Sequence, residues 1–178
     1  MNVGLPREVI WNSRLVTTGI FKESVSGLVR VRKLGLEGDK QVDLTVHGGV
    51  EKAVYAYPSE HYEHWKVALG DRSLPWGMFG ENLTTEGLLE QEVRLGDEFR
   101  INSATVMVTQ PRFPCYKLGI KFGTMQMVRR FQKSGRSGFY LAVLEEGEVE
   151  AGDRIDLLHR NTSNPTVSEA FSSVTTEA

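Results

Sequence analysis

The chain has 178 residues, 40% of them hydrophobic and 25% charged, enough for one globular domain with a real core and too few for a second full domain. Its 21 Lys and Arg against 23 Asp and Glu leave a net charge of -2, which excludes a broad basic surface for nonspecific nucleic-acid binding and confines any anion site to a local pocket. The opening "MNVGLPREVIW" has no basic segment before a long apolar run, and nothing elsewhere approaches the ~18 apolar residues of a spanning helix, so a soluble, cytoplasmic protein with no membrane association is expected.

In chain order, the stretch "GLEGDKQVDLTVHGGVEKAVYAY" groups Gly35, Gly38, Gly48 and Gly49 around Asp39, Lys40, His47 and Lys52. The Gly48-Gly49 pair can turn backbone N–H groups toward an anion, with Lys52 adding charge, although the stretch is neither a Walker loop nor a dinucleotide fingerprint. Taken alone, the stretch reads first as a loop of plain turns, with His47 satisfying buried carbonyls. The next stretch, "YPSEHYEHWKVALGD", predicts a helix: Pro58 suits a first turn, Glu60 and Glu63 lie near its positive end, Tyr62, Trp65 and Leu69 share a face, and Gly70 closes it. His61 and His64 sit three apart on that helix, among Glu60, Glu63 and Lys66; this is expected to be the wet face, with no third ligand for a metal. In "WGMFGENLTTEGLL", Asn82 offers a donor and an acceptor to a heterocyclic edge, or else closes a turn on its own backbone.

Most of the remaining chain alternates as short antiparallel strands do, which predicts a mainly β protein built as a barrel. In "EVRLGDEFRINSATVMVTQP", Val93 and Leu95, Phe99 and Ile101, then Ala104, Val106 and Val108 step by two, with Asn102-Ser103 as the turn. In "SGFYLAVLEEGEVEAGDRIDLL", Phe139, Leu141 and Val143 share a face and Glu146-Gly147 offers a hairpin turn. "LGDEFRI" and "AGDRIDL" both put Gly-Asp before an alternating strand, a weak internal echo. Between these strands, "GTMQMVRRFQKSG" predicts a second helix, with Thr124 as N-cap, Val128 and Phe131 toward the core, and Gly135 at its end. Arg136, between two glycines in "SGRSGFY", is placed to fork onto a phosphate or to sit on the surface. Residues 161–178, rich in Ser, Thr and Asn, are expected to be a mobile tail after a barrel domain of residues 1–160, with a short helix around "TVSEAF".

The only cysteine, Cys115, lies in "QPRFPCYKLG". One thiol cannot form an internal disulfide, nor can it make a closed thiolate zinc site with four scattered histidines. Pro111 and Pro114 stiffen the loop, and Arg112 and Lys117 favour the thiolate, the form that acts as nucleophile or soft metal ligand. A lone Cys is more often a small buried hydrophobe; its place just past a strand end, in a proline-rich loop, favours a functional role.

The phrases "GLEGDKQVDLTVHGGVEKAVYAYPSEHY", "FGENLT", "LGDEF", "QPRFPCYKL" and "GRSGFYLAV", in this order, resemble the MOSC domain, named for the C-terminal domain of molybdenum-cofactor sulfurase, and most closely its stand-alone bacterial YiiM-like type. The likeness runs from "TTGIFKESVSG" to "AGDRIDLLHR". It implies a closed β-barrel of the pyruvate-kinase type and a site for the molybdenum cofactor (molybdopterin). By the resemblance Cys115 would bind molybdenum, His47, Gly48, Gly49, Lys52, Arg112 and Arg136 would surround the pterin phosphate, and Asn82 would meet the pterin edge. It further implies reduction of N-hydroxylated compounds such as hydroxylaminopurines by oxygen-atom transfer, with a small-molecule substrate and an electron-donor reductase as partners and no nucleic acid. Longer members carry a small helical domain after the barrel, and "NPTVSEAF" reads as its opening. Other readings of the same residues are a persulfide sulfur carrier using Cys115 without metal, a cysteine hydrolase using Cys115 with His47 and Asn82, and a non-catalytic ligand-binding barrel.

Overall fold

The computed structural model describes residues 1–42 and 48–176. Strands β1 (Asn2–Val3), β2 (Arg7–Trp11), β3 (Arg14–Thr18), β4 (Glu23–Ser24), β5 (Val29–Arg32) and β6 (Gly35–Leu36) precede a 3-10 turn at Val50–Lys52. Then follow β7 (Val54–Pro58), α1 (Glu60–Ala68), β8 (Leu83–Thr85), β9 (Glu98–Ile101), β10 (Ala104–Pro111), α2 (Tyr116–Phe122), α3 (Gln126–Ser134), β11 (Phe139–Glu145), β12 (Gly147–Val149), β13 (Ile155–His159) and α4 (Val167–Thr176). The fold is mainly β, with a few helices, as the alternation predicts.

One six-stranded sheet, in the order β13-β9-β10-β11-β7-β8, carries the architecture; β7 and β8 run parallel and its other pairs antiparallel. Smaller sheets, β12-β5-β6, β1-β4 and β2-β3, lie beside it. The sheet curls over a core that includes Val54, Phe99, Val106, Phe139 and Leu141. It does not close. Among the described residues the edge strands β8 and β13 do not pair, which corrects the expected closed barrel to a curled half-barrel. β8 has only three residues, and the chain entering it is met by β1, where the Asn2 N–H donates to the Asn82 carbonyl at 2.7 Å.

The strands at Phe99–Ile101 and Ala104–Val108 form as their alternation predicts, with Asn102 in the left-handed region at the turn (φ 50°). Val93 and Leu95 form no strand, however, because Asp97 draws that segment into a turn: its carboxylate accepts from the Arg94 N–H at 2.9 Å. The Gly-Asp echo has the same cause twice. Gly96 and Gly152 both take positive φ, and Asp153 accepts from the Glu150 N–H at 2.6 Å, so one turn motif opens onto each of the paired strands β9 and β13. Glu146-Gly147 is not a hairpin turn. It passes the chain from β11 to β12, which pairs with β5, and Gly147 is required because a Cβ there would collide with the backbone of Ser103 and Ala104.

α1 buries Tyr62 and Trp65 as predicted, while Pro58 ends β7 instead of opening the helix. α2 has no counterpart in the predicted elements; it is short and directly follows the Pro-rich loop, yet it buries Leu118 and Ile120. α3 buries Met127 and Phe131, leaves Val128 half-buried, and ends at Gly135 in the left-handed conformation. With α1 it encloses a second, aromatic core of Tyr55, Tyr57, Trp65, Phe79 and Phe131. Residues 161–176, expected to be loose apart from a short helix, carry α4, whose Val167 and Phe171 are buried. Among the described residues no helix is long and apolar enough to cross a membrane.

Candidate functional site

β10 ends at Pro111 and delivers Arg112 inward and Cys115 to the start of α2. The Arg112 N–H donates to the Gly138 carbonyl at 3.3 Å, which anchors this end of the loop to the chain entering β11. The Arg112 guanidinium is buried, 5.2 Å from the Tyr55 ring centroid and 5.1 Å from that of Phe131, and its Nη1 has no hydrogen-bond partner among the described residues. Burial opposes its charge, yet the net direction is upward. Burial pushes the Tyr55 and Tyr140 phenols up, so both stay protonated beside it. The Tyr55 hydroxyl donates to the Ser137 carbonyl at 2.8 Å.

Cys115 is half-buried, in extended conformation (φ -122°, ψ 176°). It lines a pocket of about 110 Å³ together with Arg112, Lys117, Tyr55 and Tyr140. Further lining comes from the N-terminal half: Lys22, Asp39, Gln41, Lys52 and Asn82. Of the residues expected at the site, Cys115, Arg112, Lys52 and Asn82 therefore converge, from segments spread over more than 60 positions of the chain. The Lys52 ammonium stands 5.9 Å from the Tyr140 ring centroid. His47 lies outside the described residues.

Three expectations about individual groups change. Asn82 neither faces the pocket with a free amide nor caps its own turn: its Oδ1 accepts from the Tyr55 N–H at 3.0 Å, and its Nδ2 donates to the Asn2 carbonyl at 3.3 Å and to Asp39 Oδ2 at 2.8 Å. The Gly49 N–H is already spent on Gln41 Oε1 at 3.0 Å, so the diglycine does not present that donor to a ligand. Arg136 lines a separate hollow with His61, His64 and Glu60, and donates to the Ser134 carbonyl at 3.3 Å.

His61 also departs from the expected wet face. It is buried, with Nε2 2.7 Å from Glu90 Oε2, and Glu90 in turn accepts from the Gly138 N–H at 2.7 Å. His64, one turn away, is exposed. Among the described residues no group of three His, Cys, Asp or Glu side chains could hold a metal, so an ion at Cys115 needs further ligands from outside that set.

The sequence reading missed Lys22 and did not assign Asp39. They form a buried ion pair in the pocket wall, where Asp39 also accepts from the Gly4 N–H at 2.7 Å. Burial lowers the Lys22 ammonium, and Asp39 works against that. No local pattern links residues 22, 39 and 82; only the fold brings them together.

Comparison with known proteins gives three kinds of likeness. The model of the MOSC domain matches residues 43–156. YflK of Bacillus subtilis is 46% identical over 160 residues, covering 90% of this chain and 72% of that protein, and a Gibberella moniliformis protein named "Reductase" is 32% identical over 148 residues, covering 82% of this chain and 26% of that protein. The crystal structure of YiiM from Geobacillus stearothermophilus superposes with a TM-score of 0.82 at 38% identity, covering 99% of this chain and 82% of that one.

Proposed function

Because the chain belongs to the MOSC domain family, in its stand-alone YiiM-like type, we propose that it is a molybdenum-cofactor-dependent reductase of N-hydroxylated compounds such as hydroxylaminopurines, with Cys115 as the protein ligand to the metal. One observation carries the reading: a buried guanidinium, Arg112, has an Nη1 without a hydrogen-bond partner among the described residues, beside the only thiol of the chain. Leaving a charged donor unsatisfied in a protein interior is costly, and an anionic group entering the pocket removes that cost. The donor set suits an anionic, sulfur-accepting guest: one soft thiolate, a buried fork, and the ammonium groups of Lys52 and Lys117 on the walls. Among the described residues Cys115 brings no cluster of further protein ligands with it, which fits a metal whose other ligands come with its cofactor. The fungal reductase gives the reading a second support, although this chain covers about a quarter of it.

When bound, the cofactor supplies the two-electron, oxygen-accepting chemistry. The protein's own part is to bind and orient. The Pro111 to Pro114 segment fixes the thiol before the cofactor arrives, which spares the entropy of ordering it then. Arg112 and Lys52 offset the negative charge of the cofactor. Tyr55 and Tyr140, kept neutral by burial, bound the pocket without adding charge of their own. Conversion of an N–OH group to N–H takes up two electrons and two protons and releases water, so an electron-donor protein must reach this face.

The test is elemental analysis of protein made in a host that synthesises the cofactor, for the wild type and Cys115→Ser. Near-stoichiometric molybdenum, lost on substitution together with reduction of an N-hydroxylated purine, is the expected result. A sulfane sulfur lost in Cys115→Ser with no molybdenum in either protein would instead assign a persulfide carrier to the same thiol.

A further inference from the structure

No Asp or Glu occurs between Glu98 and Glu145, whereas residues 112–136 hold seven cations, Arg112, Lys117, Lys121, Arg129, Arg130, Lys133 and Arg136, in a chain of net charge -2. Arg112 points into the pocket; the other six belong to α2, α3 and the residues that follow. Among the described residues none of the seven is ion-paired, although seven ion pairs of Lys or Arg form elsewhere. Their partners are neutral: the Arg130 guanidinium donates to the Ala68 carbonyl, and Lys121 stands 4.9 Å from the Phe21 ring centroid. On α3, Arg129, Arg130 and Lys133 fall within one arc opposite buried Met127 and Phe131. Phe113 in the loop before α2, Tyr116 and Met125 are exposed at 36%, 43% and 44% of their surfaces, although one face of Phe113 stacks on Phe171. Tyr116 is the residue after Cys115.

From this juxtaposition we propose that the α2–α3 face is the docking surface for an acidic electron-carrier protein, which delivers electrons beside Cys115; the inference rests on the reductase reading above. Exposed Phe, Tyr and Met together with Lys and Arg is the composition of a protein interface. Uncompensated cations on an otherwise acidic molecule steer an acidic partner to one face and repel it from the rest, which suits a short-lived encounter. A nucleic acid or an anionic membrane shares the charge requirement, but gives no reason for the face to begin at the thiol.

The experiment measures binding of a purified flavodoxin by titration calorimetry, to the wild type, to Arg129→Glu/Lys133→Glu, and to Arg14→Glu as a control on exposed β3. The expected result is binding that weakens about tenfold between low and physiological ionic strength and at least tenfold in the double variant, with the control unchanged. Both substituted positions are exposed, and equal thermal midpoints confirm intact folds. Cys115→Ser should bind as the wild type does, so docking is read independently of whether molybdenum is found. Absence of binding, binding indifferent to the reversals, or tighter binding of a duplex oligonucleotide or of phosphatidylserine vesicles by the same face overturns the proposal.

Discussion

Asn82 and Arg112 line the same pocket and have opposite economies. Asn82 uses both amide hydrogens and its oxygen on Tyr55, Asn2 and Asp39, so it fastens the N-terminal strand to β7. Asn82→Ala should lower stability by about 2–3 kcal/mol, because it leaves buried backbone and carboxylate groups without partners; a lowered urea midpoint at unchanged slope checks this. Arg112 instead keeps a donor that no described residue takes up. Arg112→Met, close in shape and without charge, should leave the fold intact and cut molybdenum content at least tenfold, read by elemental analysis beside a thermal melt. Lys22→Met strands the buried Asp39 carboxylate and should cost about 3 kcal/mol in the same urea assay. At this scale the sequence showed Cys115, through its rarity and its prolines. It could not show that Asn82 was already engaged, since its partners lie 80 and 43 positions away.

At the scale of elements, local rules held where the contacts were local. α4 opens on a capping box: Thr166 Oγ1 accepts from the Glu169 N–H at 3.1 Å, and the Glu169 carboxylate accepts from the Thr166 N–H at 2.8 Å. "TVSEAF" therefore forms the helix its spelling allows. The Thr166 N–H, and then its side chain, hold the Glu169 carboxyl below the usual range. Since its folded value is the lower one, this contribution is present at neutral pH and lost as pH falls through that value. The protection of the Ala170 and Phe171 amides, relative to their intrinsic exchange rates, should fall in acid as the Glu169 carboxyl protonates, and Thr166→Ala should show the lost protection already at neutrality, at a cost of about 1 kcal/mol. α2 was not legible, because a seven-residue helix behind two prolines has too short a pattern to stand out, and its stability comes from packing Leu118 and Ile120.

Over the whole molecule, the tail and the site are one structure. Phe171 of α4 stacks on Phe113 with ring centroids 4.9 Å apart and planes at 10°, two residues from the thiol. Phe171→Ala should therefore cost about 3–5 kcal/mol and also speed amide exchange over residues 113–118, which a tail without contact to the site would leave unmoved. The amino-acid order alone determined the mainly β class, the turn at Asn102-Ser103, the exceptional cysteine loop and the acid-free stretch around it, because each follows from spacing or composition within a few residues. Only the tertiary structure decided that among the described residues the barrel stays open, that Lys22, Asp39 and Asn82 meet in the pocket Cys115 lines, that His61 is buried on Glu90, and that Arg136 lies apart. Those outcomes depend on which distant segments exhaust one another's hydrogen bonds and charges, and no periodicity along the chain records that.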